Sequence, residues 1–531
     1  MKKYFYQNPF LVGQFLIVNI IGAISVLSLA FVLEGIIDSI SNVNSETFIL
    51  YVVLLLVYIV FDSLMEYCVE VSNQKLIQKI LHDIRSDLTD SNGRKSLLAI
   101  YRSNPEMHIS TYTNELEVLE KQYLEQIISI TNDILVFVFA SIISLFLQPS
   151  YTIIMVILSL LPLFYPLLTQ SSLQKARDVS VKSKENYFNV VSDFYFGLKT
   201  VKLFEAVHSF TDIVNSKSKQ LRKSNVAYYR KANSIEAISY AITMIVNQGA
   251  WVVGGFFVLK GRLSLGEFIG LRQLVMYITY PITNMKHSYT DILSSKKLVN
   301  DLVKTIKQVP AEASNRENIK IDTIELVNFG ILGEKQNILQ NINLTFEIGK
   351  KYLIVGKSGG GKSTLLNSLI GLIPDGFNTT GSILVNGQDF TSIKLDYSSV
   401  AYVEQKTFIF DKPAIDNLTM YKDYDKGLLH QVLQKVSLET INLEDEIKNK
   451  LSGGQERRLD FARSLLANKE ILLLDEVTSS LDKENRLRIE ELVASLQGKM
   501  IICIAHEPSD NFISMFDEVL TLEEGMIKSN S

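Results

Sequence analysis

Three short stretches carry residue types that could do chemistry on a phosphate chain. In KKYLIVGKSGGGKSTLLNSLIGL, glycines, a lysine and a serine are spaced as G-x-x-x-x-G-K-S from Gly356 to Ser363, between a strand-like run and an apolar helix-like run. That context is the one a phosphate-cradling loop requires. The backbone N–H groups of Gly356, Lys357, Ser358, Gly359, Gly360 and Gly361 would wrap the anionic oxygens. Lys362 would reach the β- and γ-phosphates, Ser363 would bind Mg2+, and Thr364 opens a helix whose N-terminus favours negative charge. About 110 residues further on, EILLLDEVTSSLD gives a buried strand, Ile471–Leu474, ending in Asp475 and Glu476. The first carboxylate can hold a Mg2+ shell, and the second can orient and deprotonate an attacking water. Four aliphatic residues before Asp-Glu are a common string, and their place after the glycine loop gives them meaning. Between the two lies NKLSGGQERRLDFARSLL, in which Leu451, Ser452, Gly453, Gly454 and Gln455 form a polar turn running into a helix. Alone it is a helix cap; beside the other two stretches its N-terminus can bind a second phosphate face.

These groups need a framework, and the chain offers two kinds. It has 531 residues, 47% of them hydrophobic and 21% charged, with a mean hydropathy of +0.16. The net charge of −4 gives no reason to expect nucleic acid as a partner. Cys68 and Cys503 imply no disulfide framework and suit a reduced location. The apolar residues concentrate in 1–285, while 319–531 reads as an ordinary α/β domain. We expect an α-helical membrane domain of six transmembrane helices over 1–293, a polar linker over 294–318, and a P-loop α/β ATPase domain over 319–531. The candidate spans are 10–33, 48–69, 127–147, 151–169, 236–259 and 266–285, each close to the ~20 residues that cross a bilayer core. The loop EGIIDSISNVNSET has no lysine or arginine and QPS is only a few residues long, whereas the loops after spans two and four are rich in both. Both termini, both long loops and the ATPase domain are therefore expected in the cytoplasm, the long loops as helical continuations of the spans.

The combination of glycine loop, LSGGQ and Asp-Glu strand resembles the ATP-binding domain of ABC transporters over about 210 residues, and the six-span half resembles the exporter-type half-transporter. The resemblance implies ATP and Mg2+ as cofactors. It makes LSGGQ the motif that binds the γ-phosphate of ATP held by the opposite subunit. Gln405, in AYVEQKTFIF, matches the glutamine that senses Mg2+ and the membrane domain. Asp482 closes SLD, 480–482, at the subunit-facing loop, and His506, in IICIAHEPSD, matches the histidine that contacts the γ-phosphate. With Glu476 this gives the catalytic pair, and Ser363, Gln405 and Asp475 give the Mg2+ set. Further implications are a place in the cell membrane against lipid, a second half-transporter chain and an unidentified transported solute. Since every catalytic motif is intact, a homodimer is favoured over a heterodimer. Export of a small molecule, peptide or lipid is the leading reading; a siderophore-type importer on the same fold and a non-transporting regulatory ATPase are the alternatives. Two departures stand out. The adenine-stacking aromatic of the family falls on Ile331, with Phe329 two residues early, and LEDEIKNK replaces the usual acidic-glycine stretch before LSGGQ.

The membrane half has its own chemistry. FDSLMEYCVE places Asp62, Glu66 and Glu70 four residues apart on one face of span two. At 1.5 Å per residue from Phe48, Asp62 lies ~21 Å and Glu66 ~27 Å down, within a core of ~30 Å. Asp133 in span three lies at a similar depth, and the only base inside a span is Arg272, too shallow to pair with Asp62. Asp62, Glu66 and Asp133 are therefore expected to line the substrate path and to favour a cationic or amine-bearing solute; the rival reading has them bonded to polar neighbours such as Asn132.

Overall fold

The computed structural model describes residues 1–103, 105–307, 320–333, 337–389, 398–479, 481–506 and 508–529. The chain divides into two compact units, one made of Met1–Asn92 with His108–Gln308 and the other of Gly93–Met107 with Val309–Ser531.

The first unit is helical. Long helices span Pro9–Ser41, Ser45–Gly93, Glu125–Leu147, Val207–Leu259 and Leu265–Lys307. The stretch expected as one span at 151–169 is divided: one helix covers Pro149–Ser159 and the next Leu161–Phe196. Pro162 stands near the start of the second, where its missing N–H cannot bond back to the preceding turn. Among the described residues, four helical stretches are long and apolar enough to cross a membrane: Pro9–Ser41, Ser45–Gly93, His108–Leu147 and Val207–Leu259. The apolar window of Ser45–Gly93 has none of its residues buried within the chain, so Ile49, Leu50, Val53, Leu56 and Val57 present a bare aliphatic face. The apolar helices run on without a break into polar extensions, with Ser45–Gly93 spanning 49 residues and Val207–Leu259 spanning 53.

The linker expectation needs correction. Residues 294–307 are the end of the Leu265–Lys307 helix, and the rest of 294–318 lies outside the described residues. Leu298, Val299, Leu302 and Ile306 recur at helical spacing and pack with Tyr4, Leu76, Ile80 and Leu116. The lysines that make the stretch look like a linker occupy the opposite, solvated face.

Among the described residues the second unit holds ten strands: β1 Thr323–Gly333, β2 Leu339–Glu347, β3 Lys351–Val355, β4 Phe377–Val385, β5 Gln388–Asp389, β6 Val400–Val403, β7 Ile471–Asp475, β8 Met500–Ile504, β9 Glu518–Glu523 and β10 Met526–Ser529. They form an antiparallel sheet in the order β2-β1-β4-β5 and a larger sheet in the order β10-β9-β3-β8-β7-β6, whose β9-β3-β8-β7-β6 part is parallel. The parallel strands are aliphatic throughout because both faces are covered. Tyr352, Ile354, Leu473 and Ile502 face the core shared with the antiparallel sheet, while their neighbours Leu353, Leu472, Leu474, Ile501 and Cys503 face the helices on the other side.

Ile331 belongs to that first core. It is fully buried, opposite Leu339 and Thr379, in a stretch of β1 where two register shifts reset the alternation. It cannot stack on adenine, so the reading of Ile331 as a base-stacking position is wrong; Phe329 is core as well, at 3% exposed. Residues 334–336, just beyond, lie outside the described residues. We expect Ile331→Tyr to overpack the core at a cost of about 1–3 kcal/mol. The thermal midpoint of the ATPase unit should fall with no gain in ATP affinity; tighter binding at an unchanged midpoint would reverse this assignment.

Candidate nucleotide site

The parallel sheet delivers the chemistry-bearing residues to one edge, the carboxyl ends of its strands. β3 runs into the glycine loop, and the helix Lys362–Leu369 follows with Gly361 at its N-cap. Gly356 has φ +151° and Gly361 +93°, and a Cβ on Gly356 would stand 2.2 Å from the Leu522 carbonyl oxygen, so no larger residue fits there. The Lys362 side chain is 5% exposed and turns back along the loop, its Nζ donating to the carbonyl oxygens of Gly356 at 2.8 Å and Lys357 at 2.9 Å. Lys357, Ser358 and Gly359 are exposed at the loop's crest, while Gly360, Ser363 and Thr364 are partly buried.

β7 ends on Asp475, buried at 3% exposure. Burial holds its carboxyl above the usual carboxylate range. A hydrogen bond from Ser363 opposes the shift, the charge of Glu476 adds to it, and Lys362 and Arg457 oppose it. Oδ1 of Asp475 is buried without a hydrogen-bond partner. An orphaned carboxylate oxygen beside a serine hydroxyl is a donor set that suits a hard divalent cation. The raised pKa sets a sign. An acid whose folded pKa exceeds its unfolded value destabilises the fold at neutral pH, and the penalty fades as pH falls through the folded pKa. Asp475→Asn, without nucleotide or divalent metal, should therefore raise the thermal midpoint at pH 7 and flatten its pH dependence above the ordinary carboxylate range. An unchanged or lower midpoint in differential scanning calorimetry would count against it.

Glu476 follows with φ +54°, a left-handed conformation costly for a residue with a side chain. Contacts to its backbone over-determine it. Its N–H donates to the Ile504 carbonyl at 3.0 Å, and its carbonyl accepts from the Ser479 N–H at 3.0 Å and Arg457 Nη1 at 3.5 Å. The side chain is held from the loop two residues beyond β6, where Gln405 Nε2 donates to Glu476 Oε2 at 3.0 Å. His506 lies two residues beyond β8, on the loop after the Ile504 that anchors Glu476, and its side chain is exposed.

The LSGGQ stretch starts the helix Gly453–Ala467. Ser452 and Gln455 form a capping box: Ser452 N–H donates to Gln455 Oε1 at 2.9 Å, and Gln455 N–H donates to Ser452 Oγ at 3.3 Å. Ser452 and Gly453 are exposed, Leu451, Gly454 and Gln455 partly so, and the helix N-terminus opens to solvent. Asp482 caps the helix Lys483–Ser495, accepting from the Asn485 N–H at 2.9 Å and Nδ2 at 2.7 Å, bonds that hold its carboxyl below the usual range. Ser480 lies outside the described residues.

Two features escape a reading of the motifs. Arg457 joins the LSGGQ helix to the Asp-Glu strand end: Nε donates to the Gln405 carbonyl at 3.3 Å and Nη1 reaches the Glu476 carbonyl, the Ser479 carbonyl and Ser479 Oγ. Its only signal in sequence is its place one turn into the helix. The second is Gly93–Met107, which sits between helices of the first unit yet belongs to the second. Ser96 caps the short helix Leu97–Tyr101, Leu97 packs on the core between the sheets, and Arg102 Nε donates to the Ile373 carbonyl at 3.1 Å.

The substrate-path residues do not stay together. Asp62 and Glu66 line one cavity with Asn19 and Asn132. Asp133 is buried elsewhere, accepting from Asn284 Nδ2 at 2.7 Å, with Ser129 on the same amide at 3.3 Å. It is a helix-to-helix tie and is not among the residues that line the cavity of Asp62 and Glu66, which fits the rival reading of an acid bonded to a polar neighbour. Its partner is Asn284 on the last helix, which span counting could not bring near.

Residues 339–479 match the ABC transporter model and residues 12–282 the ABC transporter transmembrane region. The chain is 28% identical over 354 residues to the lactococcin-G-processing and transport ATP-binding protein LagD of Lactococcus lactis subsp. lactis. That match takes in 62% of this chain and 49% of LagD, so the chain spans about half the length of that relative. Identity is 25% over 535 residues to the putative multidrug export ATP-binding/permease protein YgaD of Bacillus subtilis (strain 168), covering 94% of this chain and 89% of YgaD. It is 25% over 476 residues to the ATP-dependent lipid A-core flippase of Syntrophus aciditrophicus (strain SB), covering 85% of this chain and 77% of the flippase. The fold is shared with a bacterial Atm1-family ABC exporter solved with ATP bound, at a TM-score of 0.72 and 19% identity over 98% of this chain and 95% of that one. The transmembrane match takes in more than half of the chain and the ATP-binding match takes in the phosphate loop, LSGGQ and Asp475–Glu476; the chain belongs to the ABC transporter family, with a helical transmembrane region followed by an ATP-binding domain.

Proposed function

We propose that this chain is one half of an ATP-driven exporter that works as a homodimer in the cell membrane. It would have six spans, and both termini and the ATPase domain would lie in the cytoplasm. The observation that carries this reading is the intact hydrolytic set. Gln405 holds the Glu476 carboxylate, Asp475 keeps a free oxygen beside Ser363, and Lys362 lies folded in the phosphate loop. ATP would be held by the loop amides and Lys362, with Mg2+ on Ser363, Asp475 and Gln405. The metal would supply charge neutralisation on the phosphates. Glu476 would take the proton of the attacking water, its carboxylate aimed by Gln405 and its backbone fixed by Ile504 and Arg457. The exposed N-terminus of the LSGGQ helix would meet the γ-phosphate of ATP on the second chain, with His506 and Asp482 at the same junction. The names of LagD, YgaD and the flippase speak of transport or export, which favours export over siderophore import or a non-transporting regulatory role.

The test is reconstitution of this chain alone in liposomes. ATP hydrolysis with positive cooperativity is expected, and doping with Glu476→Gln chains should depress the rate more than in proportion, since a mixed dimer shares its sites. A chain that neither dimerises nor hydrolyses ATP until a second half-transporter is added would replace the homodimer with a heterodimer.

A further inference from the structure

The cavity between the first two long helices is lined by acceptors. Asp62 and Glu66, one helical turn apart on Ser45–Gly93, face Asn19 of Pro9–Ser41 and Asn132 of Glu125–Leu147 across about 150 Å3. Asn19 is 3% exposed and has spent both its donors: Nδ2 bonds the Phe15 carbonyl at 2.7 Å and Asn73 Oδ1 at 3.0 Å. Its Oδ1 is left buried without a partner, and so is Oδ1 of Asn132. Asp62 takes a hydroxyl from Ser25 at 2.8 Å, yet no lysine, arginine or histidine is among the lining residues. Gly22 also lines the space, and a Cβ there would stand 2.7 Å from Val69 Cγ2, so the helices close tightly around it.

Acids at this depth are costly unless they face a partner or water, and buried amide oxygens without donors cost free energy too. One group would satisfy all four: a compact cation carrying several N–H donors. Two carboxylates supply the charge complement and two amide oxygens direct the remaining N–H bonds. The volume corresponds to roughly five waters at ~30 Å3 each, enough for an ammonium head group with a few waters but not for a whole peptide. We propose that this cavity is a binding subsite for a primary ammonium head group, with Asp62, Glu66, Asn19 and Asn132 as its acceptors. The proposal rests on the transporter reading and names the solute class it would carry.

The test uses the full chain in phosphatidylcholine nanodiscs without ATP, with empty discs as the blank. The probe is dansylcadaverine, a dye bearing a primary ammonium, against its N-acetylated form, followed by fluorescence polarisation. Saturable binding of the amine is expected, with the acetylated form weaker by roughly tenfold or more, the difference a charged hydrogen bond makes. Glu66→Gln and Asp62→Asn should each weaken amine binding by a similar factor and leave the acetylated form unchanged. Asp62 also holds Ser25, so Glu66→Gln is the cleaner variant. Equal binding of both forms, or unchanged affinity in both variants, overturns the proposal. So does radiolabelled Ca2+ binding that is lost in Glu66→Gln when the amine does not bind, which would make the cavity a metal site. Because the assay needs no ATP, the two readings fail separately. A chain that binds the amine but never hydrolyses ATP or moves a solute keeps the subsite and loses the exporter. A chain that hydrolyses ATP and exports without binding the amine loses only the subsite.

Discussion

Glu476→Gln chains in lipid are expected to bind ATP and to lose at least about a hundredfold of the hydrolysis rate, the lower end of what a positioned general base contributes. The substitution is nearly isosteric, and the contacts that set the residue's geometry survive it. The backbone stays pinned at its positive φ by the Ile504 carbonyl, the Ser479 N–H and Arg457, and Gln405 can still donate to the new amide oxygen. What disappears is the capacity to take a proton. ATP should therefore accumulate bound, trapping the paired state, which a nucleotide-retention assay and size-exclusion chromatography would register. Hydrolysis near the wild-type rate would move the base elsewhere, with His506 the next residue to test.

Lys362→Ala should fail a step earlier, at binding. The ammonium is almost wholly buried and already lies within the loop, bonded to the Gly356 and Lys357 carbonyls. Phosphate oxygens would replace those neutral acceptors with charged ones. Each hydrogen bond to a charged group contributes about 1.5–3 kcal/mol, so ATP affinity should fall roughly ten- to a hundredfold. Truncation also leaves the two loop carbonyls without their donor, which loosens the cradle that the glycines shape. Titration with a fluorescent ATP analogue reads the effect directly, and an affinity within about twofold of wild type would mean the ammonium does not reach the phosphates.

What the sequence determined by itself is local. The glycine loop needs Gly356 and Gly361 because the backbone there takes conformations, and comes within distances, that a Cβ forbids. The parallel strands need unbroken aliphatic runs because both faces are buried. Ser452 and Gln455 cap a helix three residues apart. Each requirement lies within a few residues, so spacing reveals it. The tertiary structure decided what depends on distant partners. Register shifts in β1 turned Ile331 into the core, which counting back from the phosphate loop could not foresee. Asn284, 151 positions along the chain, took Asp133 out of the cavity where depth alone had put it. Apolar residues at helical spacing found Tyr4 and Leu76 to pack on and made a helix of half a linker. Only the closed fold could show that Arg457 fixes Glu476, or that Asn19 spends its donors on Phe15 and Asn73 and leaves its oxygen buried without a partner, in a residue that lines one cavity with two acids. Which atom a polar side chain leaves unpaired depends on every neighbour it meets, and those neighbours come from chain segments that only folding brings together.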